Sequence, residues 1–163
     1  MVKTRRRSRP SQHGLLASGL ILLLAGCSAS APETLGPAGN ALAPCPDAPN
    51  CVHTGAEHPP GIAPFELTPG WADRPAEEVW SAVESAVASL PGTEVVTRSE
   101  NYLHAESTSR IFRFVDDLEV YRGPGSAELV VRSASRLGRS DLGVNMRRVE
   151  QLREALQARG VVD

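Results

Sequence analysis

Between Glu94 and Ala134 the chain offers four short strand-like runs joined by turns. This constrains the fold more than any other feature. The runs are Glu94–Arg98, Tyr102–Ser107, Arg113–Tyr121 and Glu128–Ala134. Glu100-Asn101 and Gly123-Pro124-Gly125 supply turn chemistry between them. Connections this short cannot hold a crossover helix, so the runs are predicted to pair as an antiparallel meander.

A helix is predicted on each side of the meander. Over Arg74–Leu90, Ala76, Val79, Trp80, Val83, Val87 and Leu90 recur at helical spacing. Asp73 is placed to cap this helix, Pro75 fits its first turn and Pro91-Gly92 stops it. The second helix is expected from Ser140 or Asp141 to Arg159, ended by Gly160. Its stripe is Leu142, Met146 or Asn145, Val149, Leu152 and Leu156. The expected class is α+β: a four-stranded antiparallel sheet, order α-β-β-β-β-α, with both helices on one face. Upstream, Thr54–Thr68 is rich in proline and glycine and reads as an irregular wrapping segment anchored by Ile62, Phe65 and Leu67.

The N-terminus reads as an address. Met1–Pro10 is cationic and Leu15–Ala25 is an apolar run of 11 residues. A spanning helix needs about 20 apolar residues, so this is a signal segment and no anchor in itself. It ends in Leu24-Ala25-Gly26-Cys27, which resembles the lipobox of bacterial lipoproteins. That resemblance implies cleavage after residue 26 and a thioether-linked diacylglycerol on Cys27, and Ser28 resembles the outer-membrane class. Residues 1–26 are then a signal peptide, 27–44 the lipidated cysteine and a flexible Ala/Pro/Gly tether, and 45–163 one α+β domain. The expected location is the periplasmic face of the cell envelope.

Charge and cysteines narrow the chemistry. Five of the 17 basic residues lie in the first ten positions, leaving 12, all arginine, against 19 acidic ones. The acidic remainder argues against nucleic acid as a partner. With Cys27 taken by lipid, Cys45 and Cys51 remain in an oxidising compartment, which favours a disulfide. The alternatives are a redox-active pair, or a metal site with His53 and His58 whose spacing fits no standard finger.

The densest polar constellation is Leu129–Glu150, a strand, a Ser/Arg/Gly turn and a helix start. Two readings of it stand. In one, Arg132, Ser133, Ser135, Arg136, Arg139, Ser140 and Asn145 bind an anionic or amphipathic small ligand at the helix N-terminus. In the other, the arginines pair across the hairpin with Asp116 and Asp117 and fix its register. Ser140 or Asp141 caps the helix in either case. Ser107-Thr-Ser-Arg-Ile-Phe-Arg113 also rhymes with Ser133-Ala-Ser-Arg-Leu-Gly-Arg139. Chance produces matches this short; a structural origin would project two equivalent Ser/Arg corners from one end of the sheet.

Several stretches together resemble a known family. They are CPDAPNC at Cys45–Cys51, HPPGIAPFEL at His58–Leu67, the tryptophan helix, FRFVDDLEV at Phe112–Val120 and VRSASRLGRSDLGVNMRR at Val131–Arg148. They are similar to the bacterial and plastid family catalogued as domain of unknown function 1499, over about Cys45–Arg159. That family carries no assigned activity, so the resemblance implies no catalytic residues. Nor do the residues suggest any: no His/Cys/Ser triad is visible, and Asp116 and Asp117 point to opposite faces of a strand. No metal or cofactor is expected. The expected function is a non-catalytic envelope module, held to the membrane by lipid, that binds a protein or another envelope component. Small-ligand binding is the alternative, and a hydrolase comes last.

Overall fold

A computed structural model describes residues 30–55 and 62–163. The expected signal peptide (residues 1–26), Cys27 and His58 lie outside the described residues. The elements in chain order are β1 (Cys51–His53), β2 (Phe65–Glu66), α1 (Pro69–Ala72), α2 (Ala76–Ala88), β3 (Thr93–Arg98), β4 (Tyr102–Thr108), β5 (Val115–Tyr121), β6 (Glu128–Ser135) and α3 (Val144–Gln157).

The meander β3-β4-β5-β6 is present and antiparallel throughout. The sheet nevertheless has six strands, not four, in the order β1-β6-β5-β4-β3, with β2 also on β6. β1 and β2 form the outer edge in two pieces: Cys51–His53 pairs with Ala134–Arg132, and Phe65–Glu66 with Leu129–Glu128. Strands of three and two residues carry no period of their own. Their pairing comes from the free edge of β6, which local sequence does not reveal.

The core lies between sheet and helices. Leu103, Ala105, Leu118, Val120, Leu129 and Val131 alternate along three strands, so they share one face. Against them pack Val79, Trp80, Val83, Ala86 and Val87 of α2 and Val149, Leu152 and Leu156 of α3. Phe65 and Leu67 are buried in the same core, as the wrapping-segment reading expects.

Both helix starts differ from expectation. α2 begins at Ala76 with Pro75 at its N-cap, while Asp73 closes the short helix α1. Glu77 and Glu78 supply the negative charge that suits the first turn of α2. α3 begins at Val144 because Leu142 and Gly143 take positive φ values of 55° and 77°, which no α-helix accepts. Leu142, expected in the buried stripe, is therefore exposed. Gly160 ends the helix region with φ 66°, and the tail returns to the sheet edge, where the Asp163 N–H donates to the Glu66 carbonyl.

The face of the sheet away from the helices carries a smaller cluster of Leu42, Tyr102, Tyr121 and Val130. Leu42 belongs to the segment expected to be a tether. So does Gly36, whose N–H donates to Glu119 Oε1 at 2.8 Å. Packing onto the sheet thus begins upstream of Cys45. Cys45 and Cys51 form a disulfide, which closes the loop leading into β1.

Candidate functional site

Strand alternation sends Asp116 and Asp117 to opposite faces, and each face has its own polar network. On the helix side, Arg148 of α3 donates to Asp116 Oδ2 at 2.7 Å and to Ser133 Oγ at 2.9 Å. The hub is Asn145, which is fully buried. Its Nδ2 donates to the Asn50 carbonyl (3.0 Å) and Ser135 Oγ (2.9 Å). Its Oδ1 accepts from Ser133 Oγ (2.7 Å) and from Arg148 Nη1. Every hydrogen-bonding position of the amide is filled. Asn50 Nδ2 in turn donates to the Gly138 carbonyl at 2.7 Å, clasping the disulfide loop to the Ser/Arg turn.

Asp141 sets the angle of entry into α3. Its carboxylate accepts the N–H groups of Gly143 (3.0 Å) and Asn145 (2.7 Å), the capping role expected for Ser140 or Asp141. Ser140 itself accepts only a longer bond of 3.4 Å from the Leu142 N–H. The left-handed φ of Gly143 makes this turn possible.

On the opposite face Arg136 reaches Asp117 with Nε (3.0 Å) and Nη2 (2.7 Å) and also bonds Glu106. His104 Nε2 lies 2.8 Å from Asp117 Oδ1. Beside them Arg132 donates to Glu119 Oε2 at 2.7 Å, and Tyr102 Oη donates to Glu119 Oε1 at 3.0 Å. Arg132 and Glu119 stand directly opposite in the β5–β6 register. Internal pairing of the arginines is therefore realised for Asp117 with Arg136. Asp116 instead takes Arg148 from the helix, and Arg132 takes Glu119.

His104, Glu106 and Asp117 each bring one ligand atom to within 4.8 Å of the others, a spacing that suits a metal ion. Here the guanidinium of Arg136 bonds both carboxylates and supplies the positive charge a cation would bring. A cavity of about 450 Å³ is lined by Ala76, Glu77, Trp80, Arg98, Ser99 and Glu100. It lies at the β3–β4 turn, the far end of the sheet from the Ser/Arg turn, and takes in none of the residues considered for anion binding.

The two rhyming segments lie at one end of the sheet, separated by β5. Ser107 pairs with Asp116, and Asp116 with Ser135, so both corners leave the same end of the sheet on either side of β5. Apolar side chains stand in solvent there. Ile111 is 83% exposed, Phe112 73% and Leu142 86%, with Phe114 and Leu137 also exposed. The rings of Phe112 and Phe114 stack at 5.7 Å. Among the described residues the non-glycine positive-φ positions are Arg113 and Leu142, both in this region. Arg139 is exposed here as well.

The residues of both networks and of the sheet end fall within one family match. A family model described as "Protein of unknown function (DUF1499)" matches residues 41–156. The chain belongs to the DUF1499 family. The match covers the buried Leu42, the disulfide loop, every strand and most of α3. No protein with a curated description matches the chain.

In this DUF1499 domain several partners of the networks carry no local signal: Asn50, His104, Glu106, Glu119 and Arg148. The usable sign was parity. Tyr102, His104 and Glu106 alternate on β4 as Asp117, Glu119 and Tyr121 do on β5, a polar face too regular for open loop. Burial opposes ionisation of Asp117, but hydrogen bonds from His104 and Arg136 outweigh it and hold its carboxyl below the ordinary carboxylate value. Burial likewise opposes ionisation of Asp141, and the amides of Asn145 and Gly143 outweigh it. For Tyr102, burial and then the Glu119 carboxylate push the phenol up. Carboxyls with depressed values stabilise the fold above their unfolded pKa of about 3.9 and lose that contribution as pH falls through the folded value. Urea denaturation of the full chain should thus give level stability from about pH 7 to 5 and a decline below about pH 4. Constant stability down to about pH 3 would contradict the pairing.

Proposed function

We propose that this DUF1499 protein is a lipid-anchored lipoprotein on the periplasmic face of the envelope, in the outer membrane. Its domain is a non-catalytic interaction module. The observation that carries the reading is the division of the Leu129–Glu150 region. Its Arg132, Ser133, Ser135, Arg136, Asn145 and Arg148 side chains are held in hydrogen bonds inside the fold, while apolar side chains and arginines from two adjacent loops stand in solvent. A group already bonded inside the fold contributes little to a ligand, whereas clustered exposed apolar residues favour contact with another surface. The lipobox-like Leu24-Ala25-Gly26-Cys27 supports attachment at Cys27. Lipid chains gain about 0.8 kcal/mol per buried CH₂, so two or more hold the protein firmly.

In cells given radioactive palmitate, the wild-type protein should be labelled and sediment with membranes. Cys27→Ala should lose the label and the firm attachment. Label retained in Cys27→Ala would exclude this anchor.

A further inference from the structure

Resting on that anchored-module reading, we propose that the end of the sheet built from residues 109–114 and 136–143 docks on an anionic phospholipid surface. Two loops contribute. The β4–β5 turn offers Ile111 with the stacked Phe112 and Phe114; the β6–α3 turn offers Leu137 and Leu142. They are adjacent, because the Arg136 N–H bonds the Val115 carbonyl where β6 gives way to its turn.

Charge selects the partner. Arg110, Arg113 and Arg139 lie in these turns, and no ion pair among the described residues uses them. The first loop has no acidic residue. The second has only Asp141, whose carboxylate is turned inward to the amides of Gly143 and Asn145. The chain beyond its first ten residues is acidic overall, so an unpaired cationic end stands against its trend. Apolar side chains ringed by cations match the boundary between acyl chains and anionic headgroups. A second copy fits poorly, because a two-fold contact through this patch would set the same arginines against each other.

Reach allows it. Gly36 is held at Glu119, about 13 Å at strand rise from Val115, where β5 begins beside the first loop. Upstream of the turn closed by the Leu35 N–H and the Pro32 carbonyl, the five residue steps from Cys27 to Pro32 can span at most about 17 Å. An anchor at Cys27 can thus share a plane with the sheet end, and docking would fix the orientation that a lipid alone leaves free.

The test is amide hydrogen exchange on the full lipidated protein. It is reconstituted in vesicles of equal parts phosphatidylglycerol and phosphatidylcholine, and separately in phosphatidylcholine alone. Amides of 109–114 and 137–143 should exchange about tenfold more slowly on the anionic vesicles. That protection should vanish in Arg110→Glu/Arg113→Glu/Arg139→Glu and in Ile111→Ser/Phe112→Ser, both still vesicle-bound through lipid and unchanged in Tm. Equal exchange in both vesicles and in detergent would overturn the proposal. So would protection that grows with protein density on phosphatidylcholine, which would mark a contact between copies. Failure of the anchor reads out separately, as loss of protein from phosphatidylcholine vesicles. In that case the full chain is added to preformed anionic vesicles, where a bound protein with unprotected turns overturns docking and protected turns support it.

Discussion

Arg136→Ala should destabilise the domain by about 3–5 kcal/mol, as expected when one partner of a buried ion pair is removed. The side chain of Arg136 is 6% exposed and that of Asp117 only 1%. The guanidinium gives Asp117 two hydrogen bonds and also reaches Glu106. Without it the Asp117 carboxylate keeps His104 and loses its fork. Arg136→Lys should fall between, since a lysine retains the charge without the two-pronged geometry. Urea denaturation measures the difference. A loss below about 1 kcal/mol in Arg136→Ala would mean the pairing is solvated, as surface pairs are.

Asn145→Ala should cost about 2–4 kcal/mol, because it removes four hydrogen bonds of a buried amide at once, leaving the Asn50 carbonyl only the Ser135 N–H and Arg148 Nη1 only Ser133. The amide satisfies the Asn50 carbonyl, both Ser133 and Ser135 hydroxyls and one arm of Arg148. Asn50 is the residue that ties the disulfide loop to Gly138. The loss should therefore appear at two places, with faster amide exchange in residues 45–51 as well as at the start of α3. Asn145→Asp is the informative companion. It keeps the shape but replaces the donor facing the Asn50 carbonyl with an acceptor, so it too should destabilise. A stability within about 0.5 kcal/mol of wild type for Asn145→Ala would remove the hub from its role.

The meander and the two long helices are legible in sequence because their periods are local. Val79, Trp80, Val83 and Val87 announce one helix face, and the runs over β4 to β6 are bounded by turn residues. The Asp117–Arg136 pairing was also within reach, since hairpin register follows from a short turn. Other features depend on partners distant in the chain. β1 and β2 exist because β6 has a free edge. Arg148 finds Asp116 across 32 positions because α3 crosses the sheet at that point. Leu142 looks like a core residue by spacing, yet the left-handed turn with Gly143 rotates it into solvent. The same displacement that breaks the predicted helix start creates half of the exposed sheet end. Ser133, Ser135 and Asn145, candidates for ligand contact in sequence, are instead satisfied by one another and by Asn50 and Arg148. Of the residues considered for anion binding, Arg139 and Ser140 remain at the surface.

The most direct measurement compares two variants of the full chain by urea denaturation at neutral pH. One is Asn145→Ala, in the buried network, and the other is Ile111→Ser/Phe112→Ser, at the sheet end. If the polar centre holds the fold and the sheet end serves contact, Asn145→Ala loses about 2–4 kcal/mol. The end variant then stays within about 0.5 kcal/mol of wild type. The reverse result, a tolerant centre and a sheet end whose polar substitution unfolds the domain, would contradict that division of labour.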